Sequence, residues 1–214
     1  AVWLDGRNMA AGGGHDGHGT DAAGAMTLRV GRIGPDGRVS DDGVLDPRTC
    51  DCCQTGAAMT AVGPVEVYRD RSEDEVRDIR IVSRREHAWG APRLVAEDDW
   101  RIAACPVNGP AVIAKDQTVI VAWFTLGADE EARVHLARSE DGGRNFVEPM
   151  TFDRGSAIGR VDLAWRGPEP RSEVLLSWMA RDGEGAQLRL ARLDGEGALL
   201  ERRNVIRLPG RRGN

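Results

Sequence analysis

Three cysteines fall within four residues, Cys50, Cys52 and Cys53, and the fourth, Cys105, follows 52 residues after Cys53. Thiols so crowded serve as cross-links, as metal ligands or as buried free thiols. Adjacent cysteines rarely pair with each other, so Cys52 or Cys53 bridging to Cys105 would staple two distant segments in an oxidising compartment. The sharper alternative is a metal ion held by Cys50, Cys52, Cys53 and Cys105 together with His15 or His18. A second concentration of reactive types follows in Arg69, Asp70, Arg71, Glu75, Arg77 and Asp78. Arginine forks match a carboxylate in two parallel hydrogen bonds, and Asp70 and Glu75 are the carboxylates placed for acid/base work beside them. The same run also reads as a solvated, salt-bridged loop. Further along, Asn108 offers amide donors to a ligand hydroxyl or closes a turn, as does Gln54. Arg160 precedes Asp162 on one side of a strand, as a ligand clamp or as an internal pair.

These residues need elements that bring them together, and composition narrows the choice. The 214 residues are 41% hydrophobic and 29% charged, with 27 Gly and 10 Pro, which excludes disordered, collagen-like and membrane-spanning classes. No stretch nears the ~20 apolar residues of a membrane helix. A net charge of −5, with arginines interspersed among Asp and Glu, argues against nucleic acid as a partner. Lys115 is the single lysine, an arginine excess that reads as genome bias. The chain opens on Ala1-Val2-Trp3-Leu4, already patterned as a strand and without an initiator Met, so a start cut from a longer protein is expected.

Short runs of Val, Ile, Leu and Trp between Gly, Asp and Pro recur throughout, the pattern of an all-β chain. Tyr68, Trp123 and Trp178 end three such runs at intervals of 55 residues, and Ala1-Val2-Trp3 repeats the element upstream. A second series is centred on Arg29, Arg80, His135 and Arg189. A third, small and apolar, precedes the aromatic runs at 56–59, 110–113 and 161–164. Several strands per unit of roughly 50 residues predict a β-propeller of four-stranded antiparallel blades. The expected blades span 1–49 (lacking its first strand), 50–104, 105–157 and 158–214.

Ser139-Glu140-Asp141-Gly142-Gly143-Arg144-Asn145-Phe146 has the form S-x-D-x-G-x-x-F, in which Ser139 and Asp141 bond turn amides, Gly143 takes positive φ and Phe146 packs back between strands. This resembles the Asp box of the sialidase-like, or BNR-repeat, propellers. The runs at 48–55, 68–72 and 105–110 are similar to a bacterial exo-α-sialidase-like branch of that family. The resemblance implies six blades, of which this chain would hold about four as a fragment. Closure as four blades, with residues 204–208 completing the first, is the other reading.

In such a propeller the cysteine run, 69–78, 105–108 and 155–160 would open on one face and the Asp box on the other. Sialidases hold the substrate carboxylate with three arginines, use an Asp as acid/base and attack with a Tyr. The only tyrosine here, Tyr68, stands in the packing series instead. What the resemblance implies is an exported protein, periplasmic or secreted, that engages a glycan or small anionic ligand through Arg69, Arg71, Arg77, Asn108 and Arg160. If it is an enzyme, it would be a glycoside hydrolase using Asp70 and Glu75. The alternative is a non-catalytic binding or assembly module whose cysteine loop is a disulfide staple or a metal site.

Overall fold

The computed structural model describes residues 1–9, 24–168 and 172–208. Every regular element among them is a strand, and each sheet is an antiparallel meander with strands in chain order. The first sheet holds β1 (Val2–Asp5), β2 (Thr27–Ile33) and β3 (Val39–Asp46). The second holds β4 (Gly56–Thr60), β5 (Gly63–Arg69) and β6 (Ile79–Arg85), with two short outer strands on β6, β7 (Ala88–Trp89) and β8 (Arg93–Leu94). The third runs β9 (Ala111–Lys115), β10 (Thr118–Thr125), β11 (Arg133–Ser139), β12 (Met150–Arg154). The fourth runs β13 (Ala157–Arg166), β14 (Glu173–Asp182), β15 (Gly185–Leu193), β16 (Leu199–Leu208). The inner strands β4, β9 and β13 lie side by side, so the sheets stand as blades of a propeller. Residues 204–208 lie in β16, hydrogen-bonded to β15, so they do not complete the first sheet as the four-bladed closure required.

Burial explains why the central strands read as continuous apolar runs. On β10, Val119, Val121 and Trp123 pack toward Val65, Val67, Ile79 and Ile81 of the second blade. The alternate residues Ile120, Ala122 and Phe124 pack toward Val174, Leu176 and Trp178 of the fourth. A strand sandwiched between two blades has no polar face, so period-2 alternation vanishes.

The two sequence series are cross-strand partners: Trp3 pairs with Arg29, Tyr68 with Arg80, Trp123 with His135 and Trp178 with Arg189. Each of the last three aromatics donates to an acid from the preceding repeat. Tyr68 Oη reaches Asp46 at 2.5 Å, and the indole Nε1 of Trp123 and of Trp178 reach Asp98 and Asp153 at 2.6 Å. The separations are 22, 25 and 25 residues. Asp153 also takes Arg189 Nη1 at 2.6 Å, and Asp98 faces His135 Nδ1 at 3.3 Å. One acid thus joins two strands of its neighbouring blade, giving a buried aromatic N–H or O–H the acceptor it needs.

The Ser139–Phe146 turn closes the far end of the third blade. Ser139 Oγ donates to Asp141 Oδ1 at 2.8 Å and accepts from Gly143 N at 3.0 Å. Asp141 Oδ1 accepts from the amides of Arg144 and Asn145, both at 2.9 Å. Gly143 has φ 82°, and a Cβ there would stand 2.7 Å from Ile81 Cδ1, so both backbone and space demand glycine. Phe146 packs against the interface of the second and third blades.

Candidate functional site

The face opposite that turn gathers the segments preceding each inner strand and the long loops after β5 and β10. Side-chain amides lock successive blades together there. Gln54 donates Nε2 to Gly109 O at 3.1 Å and accepts from Gly109 N at 2.9 Å. One repeat on, Asn108 donates Nδ2 to Ile158 O at 3.1 Å and accepts from Arg160 N at 3.0 Å. The amide of Asn108 is therefore committed to the next blade's backbone.

The predicted arginines divide by environment. Arg69 is 1% exposed and gives its three donor directions to carbonyls: Nε to Asn108 at 2.7 Å, Nη1 to Arg77 and Nη2 to Phe124, both at 2.5 Å. Its guanidinium lies 4.8 Å from the Trp100 ring centroid, and burial lowers its pKa to about 10. Arg69 thus joins loops from two blades, and Trp100, buried beneath it and edge-on to Phe124, has no face free for a sugar.

Arg71 and Arg77 converge instead on Glu75. Arg71 Nη2 reaches Glu75 Oε1 at 2.8 Å, Arg77 Nη2 reaches Oε2 at 2.6 Å, and Arg48 Nη2 lies 3.7 Å from Oε1. Arg71 also reaches Asp51 at 3.4 Å. Burial alone would raise the Glu75 carboxyl, but the hydrogen bond from Arg71 and the charges of Arg77 and Arg71 hold it below the usual carboxylate range. Burial pushes the Arg77 guanidinium down, its charge partly sustained by Glu75. A carboxylate held ionised among three arginines is a poor proton donor.

Asp70 stands apart, buried against Arg80 Nε at 2.6 Å, its carboxyl raised by burial with the Arg80 charge offsetting part. Asp70 and Glu75 therefore face different partners. Arg48 and Asp51 belong to the arginine cluster without having been singled out from the sequence. Their one signal was position, flanking Cys50 in the most unusual segment of the chain.

Arg160 lies elsewhere, at the mouth of a cavity of about 390 Å³ between β4, β9 and β13, lined by Gln54, Pro110, Asp162 and the start of each inner strand. Its side chain is exposed, and its guanidinium makes no hydrogen bond or ion pair among the described residues. The register of β13 against β14 slips on either side of Gly159, and Arg160 has φ 55°. A bulge re-aims the side chain it carries, and positive φ in a long residue persists only when neighbours over-determine it. Asn108 does so here: a Cβ on Gly159 would stand 2.2 Å from Asn108 Oδ1.

The four cysteines form two disulfides, Cys50–Cys53 and Cys52–Cys105. Cys50 and Cys53 are buried, Cys52 is half-buried and Cys105 is exposed. The blade-to-blade staple thus runs through Cys52, while Cys50 and Cys53 stand in a C-x-x-C relation that reading the run as C-x-C-C obscures. His15 and His18 lie outside the described residues.

No protein-family model matches the chain, and no curated protein matches it. Among solved structures it is similar to the Hadza microbial sialidase Hz136, at 19% identity and TM-score 0.45 over 86% of this chain and 47% of the other. It is also similar to a xylan β-1,4-xylosidase from Bacillus halodurans C-125, at 14% identity and TM-score 0.41 over 72% of this chain and 32% of the other. The chain spans about half the length of that sialidase.

Proposed function

We propose that the protein is a non-hydrolytic binding module that takes a small anionic ligand of sugar-acid size at the mouth of its central cavity, with Arg160 as charge partner. The observation that carries this is an exposed guanidinium, unpaired among the described residues and held by a bulge and by Asn108 at the rim of an about 390 Å³ cavity. That volume falls in the range of roughly 300–1,000 Å³ usual for small-molecule sites. The Gln54 amide at the rim is engaged by Gly109, which leaves Arg160 as the binding group, and an arginine fork is suited to a carboxylate. Hydrolysis needs a pair of carboxyl groups flanking one bond or, in sialidases, a Tyr nucleophile beside an acid/base carboxyl, and Tyr68 is buried between blades with its hydroxyl on Asp46. Asp162 is the one carboxylate lining this cavity among the described residues, and Glu75 is engaged by arginines.

A thermal-shift panel of N-acetylneuraminate, glucuronate and neutral galactose tests the reading, alongside a fluorogenic sialoside assay. Stabilisation by the acids alone, with no turnover, is expected. Equal stabilisation by galactose would refute anion recognition, and turnover abolished by Glu75→Gln would replace the reading with a hydrolase.

A further inference from the structure

We propose that the cysteine cluster is a tetrathiolate site for a zinc-class cation, filled when its two disulfides are reduced. Two structural cross-links have no need to touch, yet these do: Cys50 Sγ lies 3.9 Å from Cys52 Sγ, although neither is bonded to the other. The sulfurs of Cys50, Cys52 and Cys53 all lie within 4.8 Å of one another, and Cys105 is bonded to Cys52. A zinc–sulfur bond of about 2.3 Å requires a sulfur tetrahedron of about 3.8 Å edge. The unbonded contact already matches that edge, so filling the site asks the bonded pairs to part and the Cys105 sulfur, which stands outside the close group of three, to turn inward. Four soft thiolates and no oxygen ligand favour zinc over magnesium or calcium.

The scaffold keeps the four residues together without sulfur–sulfur bonds. Cys50 N donates to Arg69 O at 3.0 Å, and Thr49 bridges Asp70, fixing the run to the end of β5. The paired hydrogen bonds of Gln54 with Gly109 tie the residue after Cys53 to the segment carrying Cys105. A Cβ on Gly109 would stand 1.9 Å from Gln54 O, so that clasp is closed to backbone contact. Exposed Cys105 gives reductant and ion a way in, while Cys50 and Cys53 close the inner side.

Two dithiol reductant molecules are oxidised to disulfides as they deliver four electrons and four protons, giving four thiols. Binding one Zn²⁺ then releases those four protons.

The test titrates Co²⁺ into the full chain after phosphine reduction and removal of the reductant. One Co²⁺ per chain, with thiolate charge transfer and tetrahedral d–d absorption displaced by Zn²⁺, is expected. Those bands should be lost in the C52S/C105S double variant and absent from the oxidised chain. Circular dichroism covers a reduced chain that unfolds: zinc should restore the β spectrum. Three results would overturn the proposal. They are a folded reduced chain that takes up no cobalt, an unfolded one that zinc does not rescue, and equal thiolate-cobalt bands in the double variant.

Discussion

Glu66 is a carboxyl buried on β5 at 1% exposure, with Oε2 lacking a hydrogen-bond partner among the described residues. Burial raises its pKa from 4.5 to about 7, the Thr55 hydrogen bond offsetting part of that. Because the folded chain holds this proton more tightly than the unfolded chain, folding stability falls as pH rises through the interval from 4.5 to about 7. Below the interval both states are protonated and nothing is lost. Above it the loss is complete, about 3 kcal/mol at 1.36 kcal/mol per pH unit, an upper figure for a side chain that can relax. Glu66→Gln keeps the shape of the protonated acid and removes the titration. Urea unfolding of parent and variant from pH 4 to pH 8.5 isolates the effect, since all other groups cancel in the difference. The variant should match the parent at the acid end and exceed it by roughly 2–3 kcal/mol at pH 8. A difference that stays constant with pH would refute the raised pKa of this buried carboxyl.

Other substitutions probe the joints of the loop face and the blades. Arg69→Lys should cost about 3 kcal/mol, because one ammonium cannot reach three divergent carbonyls, and a lowered Tm checks it. Trp123→Phe removes the indole donor to Asp98 and should cost about 1–3 kcal/mol in urea unfolding. Glu75→Gln leaves Arg77 without its anion and Arg71 with only Asp51; since Glu75 is partly exposed, the expected cost at pH 7 is about 1–3 kcal/mol. The Glu75 carboxyl is held below its ordinary value, so the stability it supplies is fully present above that value and is lost as pH falls below it through the lowered one. Parent and variant should therefore converge on acidification.

The periodic aromatics were legible because each ends a short apolar run at a regular interval, and their spacing carried the fold. The acids that receive their hydrogen bonds were not picked out, although Asp98 and Asp153 stand at the same offset from Trp123 and Trp178. Acids are so common in this chain that an offset is visible only once its partner is known. Arg69, Arg71 and Arg77 were found as a group, but which was buried depended on carbonyls of Phe124 and Asn108, brought near only by blade packing. The arginine clamp on Glu75 depends on a loop conformation with φ 60° at that residue, which no composition or period encodes. Cysteine pairing was open for the same reason, since 52 residues of chain separate Cys53 from Cys105 and blade packing, with the Gln54–Gly109 clasp, sets their segments side by side.

Calorimetric titration of N-acetylneuraminate into the parent chain and Arg160→Ala tests the central claim most directly. One charge-assisted arginine–carboxylate contact contributes about 1.5–3 kcal/mol, so the variant should bind at least about tenfold more weakly while keeping the parent's Tm. Unchanged affinity in Arg160→Ala, or no heat from the parent at millimolar ligand, would contradict a binding site at the cavity mouth.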